Sequence, residues 1–221
     1  MSLLFLKQQA RDIATAAAVF SFLATIATSH ALPSSAADLK PEAVDALVKK
    51  AREYSNRKQW SKAQVVYRQI LEERQKQWGR DDIRLVGPLN DVVRVTCVDG
   101  KCFDTMPYLS KLLSIRLKKF GPWNADVATT YALIAEANEK MQRYPESIGN
   151  FKEAIKIRDH VFGKTDAMSI RTRMNVIRVA LENKDKAAAR EMLLECQSLL
   201  SAQRKPQPDL EKLLSYYAAK I

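Results

Sequence analysis

The chain has 221 residues, a formal net charge of +11, 47% hydrophobic residues, six glycines and three cysteines. So few glycines, with no sustained β-branched alternation, argue against a sheet protein or a linker-rich chain and favour an all-helical one. The length allows one or two ordinary domains, or a single elongated array of repeats.

Residues 1–37 stand apart from the rest. Lys7 and Arg11 form a basic flank, and no charge interrupts the stretch from Ile13 to Thr28. Ser29-His30-Ala31 and Ser35-Ala36-Ala37 then place small residues at two points of possible cleavage. The segment resembles a secretory signal peptide. An uncleaved membrane anchor is the alternative, because the uncharged stretch approaches the ~20 residues that span a bilayer. An organellar transit peptide is a third reading, opposed by the compact apolar run. Alanine and threonine rather than leucine dominate the run, which favours cleavage. Residues 38–221 are therefore expected outside the cytoplasm, periplasmic or secreted after cleavage and membrane-anchored otherwise.

Beyond residue 38 the apolar residues recur at helical steps. Leu39 to Asn56 predicts a first helix, with Pro41 in its first turn and Leu47, Ala51 and Tyr54 on its core face. Trp60 to Trp78 predicts a second. The pattern then returns after 42 residues, with Leu89 and Val93 matching Leu47 and Ala51. Gly79, Gly121 and Gly163 share that spacing, preceded by Trp78, Phe120 and Phe162. Arg74, Arg116 and Arg158 fall five positions before the glycines, in last helical turns, where a cation complements the helix dipole and reaches free carbonyls. Asp82, Asn124 and Asp166 follow the glycines by three and are predicted N-caps. Tyr67, Leu109 and Phe151 align as core, as do Leu71, Leu113 and Ile155.

The clearest unit is residues 124–163. Val127, Tyr131, Ile134 and Ala135 form one apolar stripe that Asn138 interrupts; Tyr144, Ile148, Phe151, Ile155 and Phe162 form the next, closed by Gly163. Repeats are placed at about 40–81, 82–123, 124–165 and 166–204. The fourth loses register at its end, where Lys205 replaces the expected glycine and Pro206 and Pro208 break the helix. Asp209 is expected to cap a last helix, 209–221, whose Leu210, Leu213, Leu214 and Tyr217 cover the end of the array.

These helix-turn-helix units resemble tetratricopeptide (TPR) repeats. The first helix ends at a glycine or polar turn, and the second opens with an aromatic and a small residue: Trp60 and Ala63, then Tyr144 and Ser147. In the second unit Gly100 occupies the turn, and Cys102 and Thr105 fill the two slots. TPR units are about 34 residues long. The period of 42, with G-x-x-[D/N] between units, is similar to the longer kinesin-light-chain type, its second helix extended by about two turns. The resemblance implies an all-α, right-handed superhelical α-solenoid of about four TPR repeats plus a C-terminal capping helix. It also implies an interaction scaffold.

Cys97 and Cys102 flank the turn of the second unit. In an oxidising compartment a disulfide between them is one reading, with Gly100 allowing the tight path, and two reduced thiols are the other. Cys196 aligns with apolar positions and is expected in the core. No His–Cys spacing fits a metal site, no phosphate loop or nucleophile motif occurs, and His160 near a helix end reads as a packing or surface residue. Catalysis and a cofactor are not expected.

In the resembled family the first helix of each unit lines the concave face. Three columns of this chain then face a partner: Arg52, Arg94, Glu136 and Arg178; Lys49, Asp91, Leu133 and Asn175; Asp45, Gly87, Thr129 and Arg171. Three arginines in one column could grip carboxylates of an extended protein or peptide partner, or they are ordinary solvated charges. The carboxylate-clamp pattern of lysines and asparagines known in the family is not matched. Basic charge alone is a weaker lead toward anionic lipid or acidic polymers, and a structural subunit of a larger complex, docking through its convex face, is a third reading. No nucleic-acid motif accompanies it, so none is expected as partner, and membrane contact is expected only through the N-terminal segment or the basic surface.

Overall fold

The structure, a computed structural model, describes residues 41–203 and 206–221. The signal-type segment, the helix start at Leu39 and the register break at Lys205 lie outside the described residues. Within these limits there are nine α-helices, two short 3-10 turns and no strand. The helices pair as α1 (Pro41–Asn56) with α2 (Trp60–Trp78) and α3 (Val86–Val98) with α4 (Met106–Phe120). Then follow α5 (Ala125–Lys140) with α6 (Tyr144–Phe162), α7 (Ala167–Glu182) with α8 (Lys186–Ser201), and α9 (Pro208–Ala218). Each helix packs on the next in sequence, and α9 lies on both α8 and α7. Contacts confined to neighbours define an all-α repeat solenoid.

The two kinds of turn obey different backbone rules. Gly79, Gly121 and Gly163 end α2, α4 and α6 with φ of 88°, 76° and 90° and ψ of 159°, 177° and 155°. That region is open essentially to glycine alone, which explains the glycine column. Three residues on, the side chains of Asp82, Asn124 and Asp166 accept backbone amides of Arg84, Asp126 and Met168, each at 2.8 Å. Inside the units, the turns between first and second helices carry Lys58, Gly100, Gln142 and Lys184 at φ of 55°, 83°, 60° and 60°. A left-handed position tolerates an ordinary residue at roughly 1–2 kcal/mol, so only one of these four is glycine.

The second unit departs from the others at both helix starts. Ile83–Leu85 and Cys102–Thr105 are 3-10 turns, and α3 and α4 begin only after them. Pro88 and Pro107 cause this: neither has an amide to donate, and each settles in the first turn of its α-helix. At the C-terminus, α9 is entered through Gln207 with Pro208 at its first positions, not through a cap at Asp209. Asp209 lies inside the first turn, where its charge suits the helix dipole.

The core is a string of clusters. Val44, Tyr67, Leu71, Leu89 and Val95 are buried at one end; Ile170, Met174, Ile177, Leu193, Leu210 and Leu214 at the other. Phe151 is fully buried between α5, α7 and their partners. Leu133, Leu113, Tyr131 and Ile148 each belong to two clusters and together join all five into one seam. Asn138 does not open that seam to water: it is buried, and its side-chain amide donates to the Ile134 carbonyl at 3.0 Å.

The arginine column does not cap its own helices as the spacing suggested. Arg116 and Arg158 are buried and reach into the next unit. Arg116 donates to Thr130 Oγ1 at 2.8 Å and to the Asp126 carbonyl at 3.0 Å, and Arg158 donates to Thr172 Oγ1. Burial pulls both guanidinium groups below their usual value, partly offset by Asp126 and Asp166 respectively. Arg74 lacks this partner, because Pro88 stands where Thr130 and Thr172 recur. It stacks instead on Trp78, 4.7 Å from the ring centre, and lies 3.8 Å from Asp45.

Candidate partner-binding face

The columns expected to face a partner distribute over three cavities. The central one, about 400 Å³, lies between α3 and α5 and joins Asp91, Arg94, Leu133 and Glu136 from neighbouring first helices. Val93, Cys97, Val98, Thr105 and Ala137 complete its wall. A second recess lies on α1, formed by Asp45, Val48, Lys49, Arg52 and Glu53. The third, about 520 Å³, sits between α7 and α9 and holds Arg178, Glu182, Lys186, Tyr216 and Lys220. Thr129 and Arg171 are exposed and Asn175 half-buried, and none of the three lines these cavities. Gly87 lies exposed in the first turn of α3.

The arginines do not form a free row. Arg94 is 3.1 Å from Asp91 and 3.5 Å from the Tyr67 hydroxyl, and its guanidinium stands 5.8 Å above the Tyr67 ring. Burial would lower its pKa, but the bonds to Asp91 and Tyr67 outweigh that and hold it above the usual value. Arg178 is ion-paired with Glu139 and lies 3.7 Å from Glu182. Glu136 shares the sequence column with these arginines, but the carboxylate that pairs with Arg178 is the buried Glu139 of the neighbouring unit. The Arg178–Glu182 pair was legible as a one-turn spacing, whereas the Glu139 contact crosses from α5 to α7 and carries no local signal. Arg52 alone of the three arginines has no ion pair among the described residues.

Glu136 differs from its neighbours. It makes no ion pair or hydrogen bond among the described residues, and burial raises its carboxyl above the ordinary range against the pull of Arg178, Arg158 and Lys140. Cys97 and Cys102, joined as a disulfide with Cα atoms 4.2 Å apart, brace the turn at one end of the central cavity. Cys196 is buried, and burial pushes its thiol up to about 12.

Among the described residues no group of His, Cys, Asp or Glu is placed to hold a metal, and no helix is long and apolar enough to cross a membrane. His160 is exposed and stacks on Trp123 with ring centres 4.4 Å apart.

Neither protein-family models nor curated proteins returned a match. Solved structures did. A kinesin-light-chain-type protein of Podosopora anserina with nearly identical TPR-like repeats superposes with a TM-score of 0.67 at 14% identity, covering 82% of this chain and 88% of that one. A single-substitution variant of that protein gives 0.64 at 13% identity, over 81% and 95% of the two chains. BtubC (BKLC) of P. vanneervenii gives 0.59 at 17% identity, over 82% and 76%.

This is a TPR-like repeat fold. In the TPR-like array the first helices are α1, α3, α5 and α7, and the central cavity lies between the second and third of them. Its apolar wall was visible in sequence only in part. Leu133 lies in a predicted column, but Val98, the last residue of α3, and Thr105, in the 3-10 segment of the second unit, lie outside the three columns.

Proposed function

We propose that this TPR-like chain is an exported protein-interaction scaffold that holds an extended segment of a partner along its first helices, centred on the cavity between α3 and α5. The observation that carries the reading is that cavity, where Asp91, Arg94, Leu133 and Glu136 converge from two stacked units beside apolar wall residues. Pockets that combine apolar walls with a few convergent polar groups are the usual form of a specific binding site. The export part rests on the composition of residues 1–37, and Edman sequencing of the mature chain recovered from its native host tests it. A start near residue 32 or 38 supports cleavage, and a start at Met1 refutes it.

A second reading is docking through the edge formed by the ends of α4 and α6. It is favoured by the exposed Phe120, Trp123 and Phe162, which lie there among cationic side chains. Site-specific photocrosslinking separates the two. A crosslinker at Leu133 captures the partner under the first reading and one at Phe120 under the second. Capture must persist at about 1 M salt, where the screening length falls to about 3 Å. Capture lost at that salt identifies diffuse charge attraction instead.

A further inference from the structure

The aromatic column that closes the second helices is covered in the first unit and open in the next two. Trp78 is flanked by Arg74 and Arg84, 4.7 and 4.8 Å from its ring centre. Phe120, Trp123, Val161 and Phe162 are 42, 47, 38 and 49% exposed. Lys156 of α6 stands 5.7 Å over Trp123, which also stacks on His160. The turn after α4 thus meets the end of α6, and the exposed groups share one edge.

The free charge of this edge is of one sign. Each acid of the turns between units is already engaged. Lys111 and Lys118 hold Asp81, Arg84 holds Asp82, and Arg116 lies 3.9 Å from Asp126. Asp166 accepts the amides of Met168 and Ser169, and Asp159, in the last turn of α6, takes two bonds from Arg173. Arg80, Lys119, Lys156 and Lys164 are exposed and make no ion pair among the described residues; Lys119 feels Asp82 only from a distance.

We propose that this edge docks on an anionic lipid surface, with Phe120, Trp123 and Phe162 among the headgroups and the four cations against acidic lipids. This rests on the docking-edge reading above and names a bilayer, not a protein, as what it meets. Aromatic side chains settle at the boundary of headgroups and acyl chains, and cations beside them gain from the negative potential of an acidic leaflet. A bilayer offers acceptors without fixed positions and so needs no shaped recess. None of the three cavities above is lined by these aromatic residues.

The test mixes the full chain with vesicles of phosphatidylserine and phosphatidylcholine, and with phosphatidylcholine alone. The chain has three tryptophans, so subtracting the emission of Trp123→Phe from that of the unaltered chain isolates Trp123. Expected is a blue shift of Trp123 on the anionic vesicles, quenched by brominated lipid and absent on the neutral ones. Lys119→Gln, Lys156→Gln and Lys164→Gln are each expected to weaken binding about fivefold. All three lysines are exposed, and circular dichroism checks that the helices remain. An unshifted Trp123 on vesicles that carry the chain assigns the binding to another region, residues 1–37 included, and overturns the inference. An equal response to neutral and anionic lipid overturns it as well. No vesicle binding, with a protein captured by the crosslinker at Phe120, overturns it and leaves the docking edge standing. Neither vesicle binding nor capture there overturns both.

Discussion

Thr172→Val tests whether the units are pinned to one another by buried arginines. Arg158 on α6 is only 7% exposed, and Thr172 Oγ1 on α7 is the acceptor its guanidinium meets. Valine keeps the β-branched shape and removes that oxygen. A hydrogen bond to a charged group contributes about 1.5–3 kcal/mol, and stranding a buried donor tends toward the upper end. The expected loss is therefore about 2–3 kcal/mol. Thr130→Val, one unit earlier, is the internal control. Arg116 keeps the Asp126 carbonyl at 3.0 Å after that change, so the expected cost is about 1 kcal/mol. Urea denaturation followed by circular dichroism measures both. Replacing the pair together, Arg158→Met with Thr172→Val, should recover most of the loss, since no buried charge is then left unpaired. Equal costs for the two threonines, or a Thr172→Val variant within about 0.5 kcal/mol of the unaltered chain, would show that the arginine does not couple the units.

Two turns of similar appearance should respond in opposite directions. Gly121→Ala forces a side chain into a region with φ of 76° and ψ of 177°, and an added Cβ meets nothing within 4 Å. The expected destabilisation of about 1–3 kcal/mol is therefore pure backbone strain. Gln142→Gly removes left-handed strain at φ of 60° and should stabilise by up to about 1 kcal/mol, read as a rise in the urea midpoint. Replacing Cys97 and Cys102 together by serine should cost about 2 kcal/mol on the chain-entropy account of so small a loop. An unchanged urea midpoint under non-reducing conditions would show that the two thiols are reduced in solution.

The fold was legible because its rules are local and repeated. The glycines at 79, 121 and 163 announce a backbone region that only they enter, and the acidic or amide caps three residues later mark each next helix. What the sequence hid is what crosses between units. The arginine column was visible, but its partners Thr130 and Thr172 lie fourteen residues ahead in the next helix, a distance at which no helical periodicity signals contact. The ion pair between Arg178 and Glu139 was invisible for the same reason, and it changes the character of the face, because a row of arginines read from sequence is largely neutralised in three dimensions. At Asp209 the error was local: Pro208, which needs no amide partner, is the better first residue and moves the helix start ahead of the acid.

The irregularities of the chain converge on one place. Pro88 and Pro107 delay both helices of the second unit; the Cys97–Cys102 link and Gly100 tie its turn. None of these is required to continue an array, since the third unit packs without them. Yet Cys97, Val98 and Thr105 from this turn form the end wall of the cavity that Leu133 and Glu136 close from the other side. The Thr105 hydroxyl donates to the Cys102 carbonyl at 2.5 Å and fixes that wall further. The departures from repeat symmetry therefore fall together at one end of this cavity.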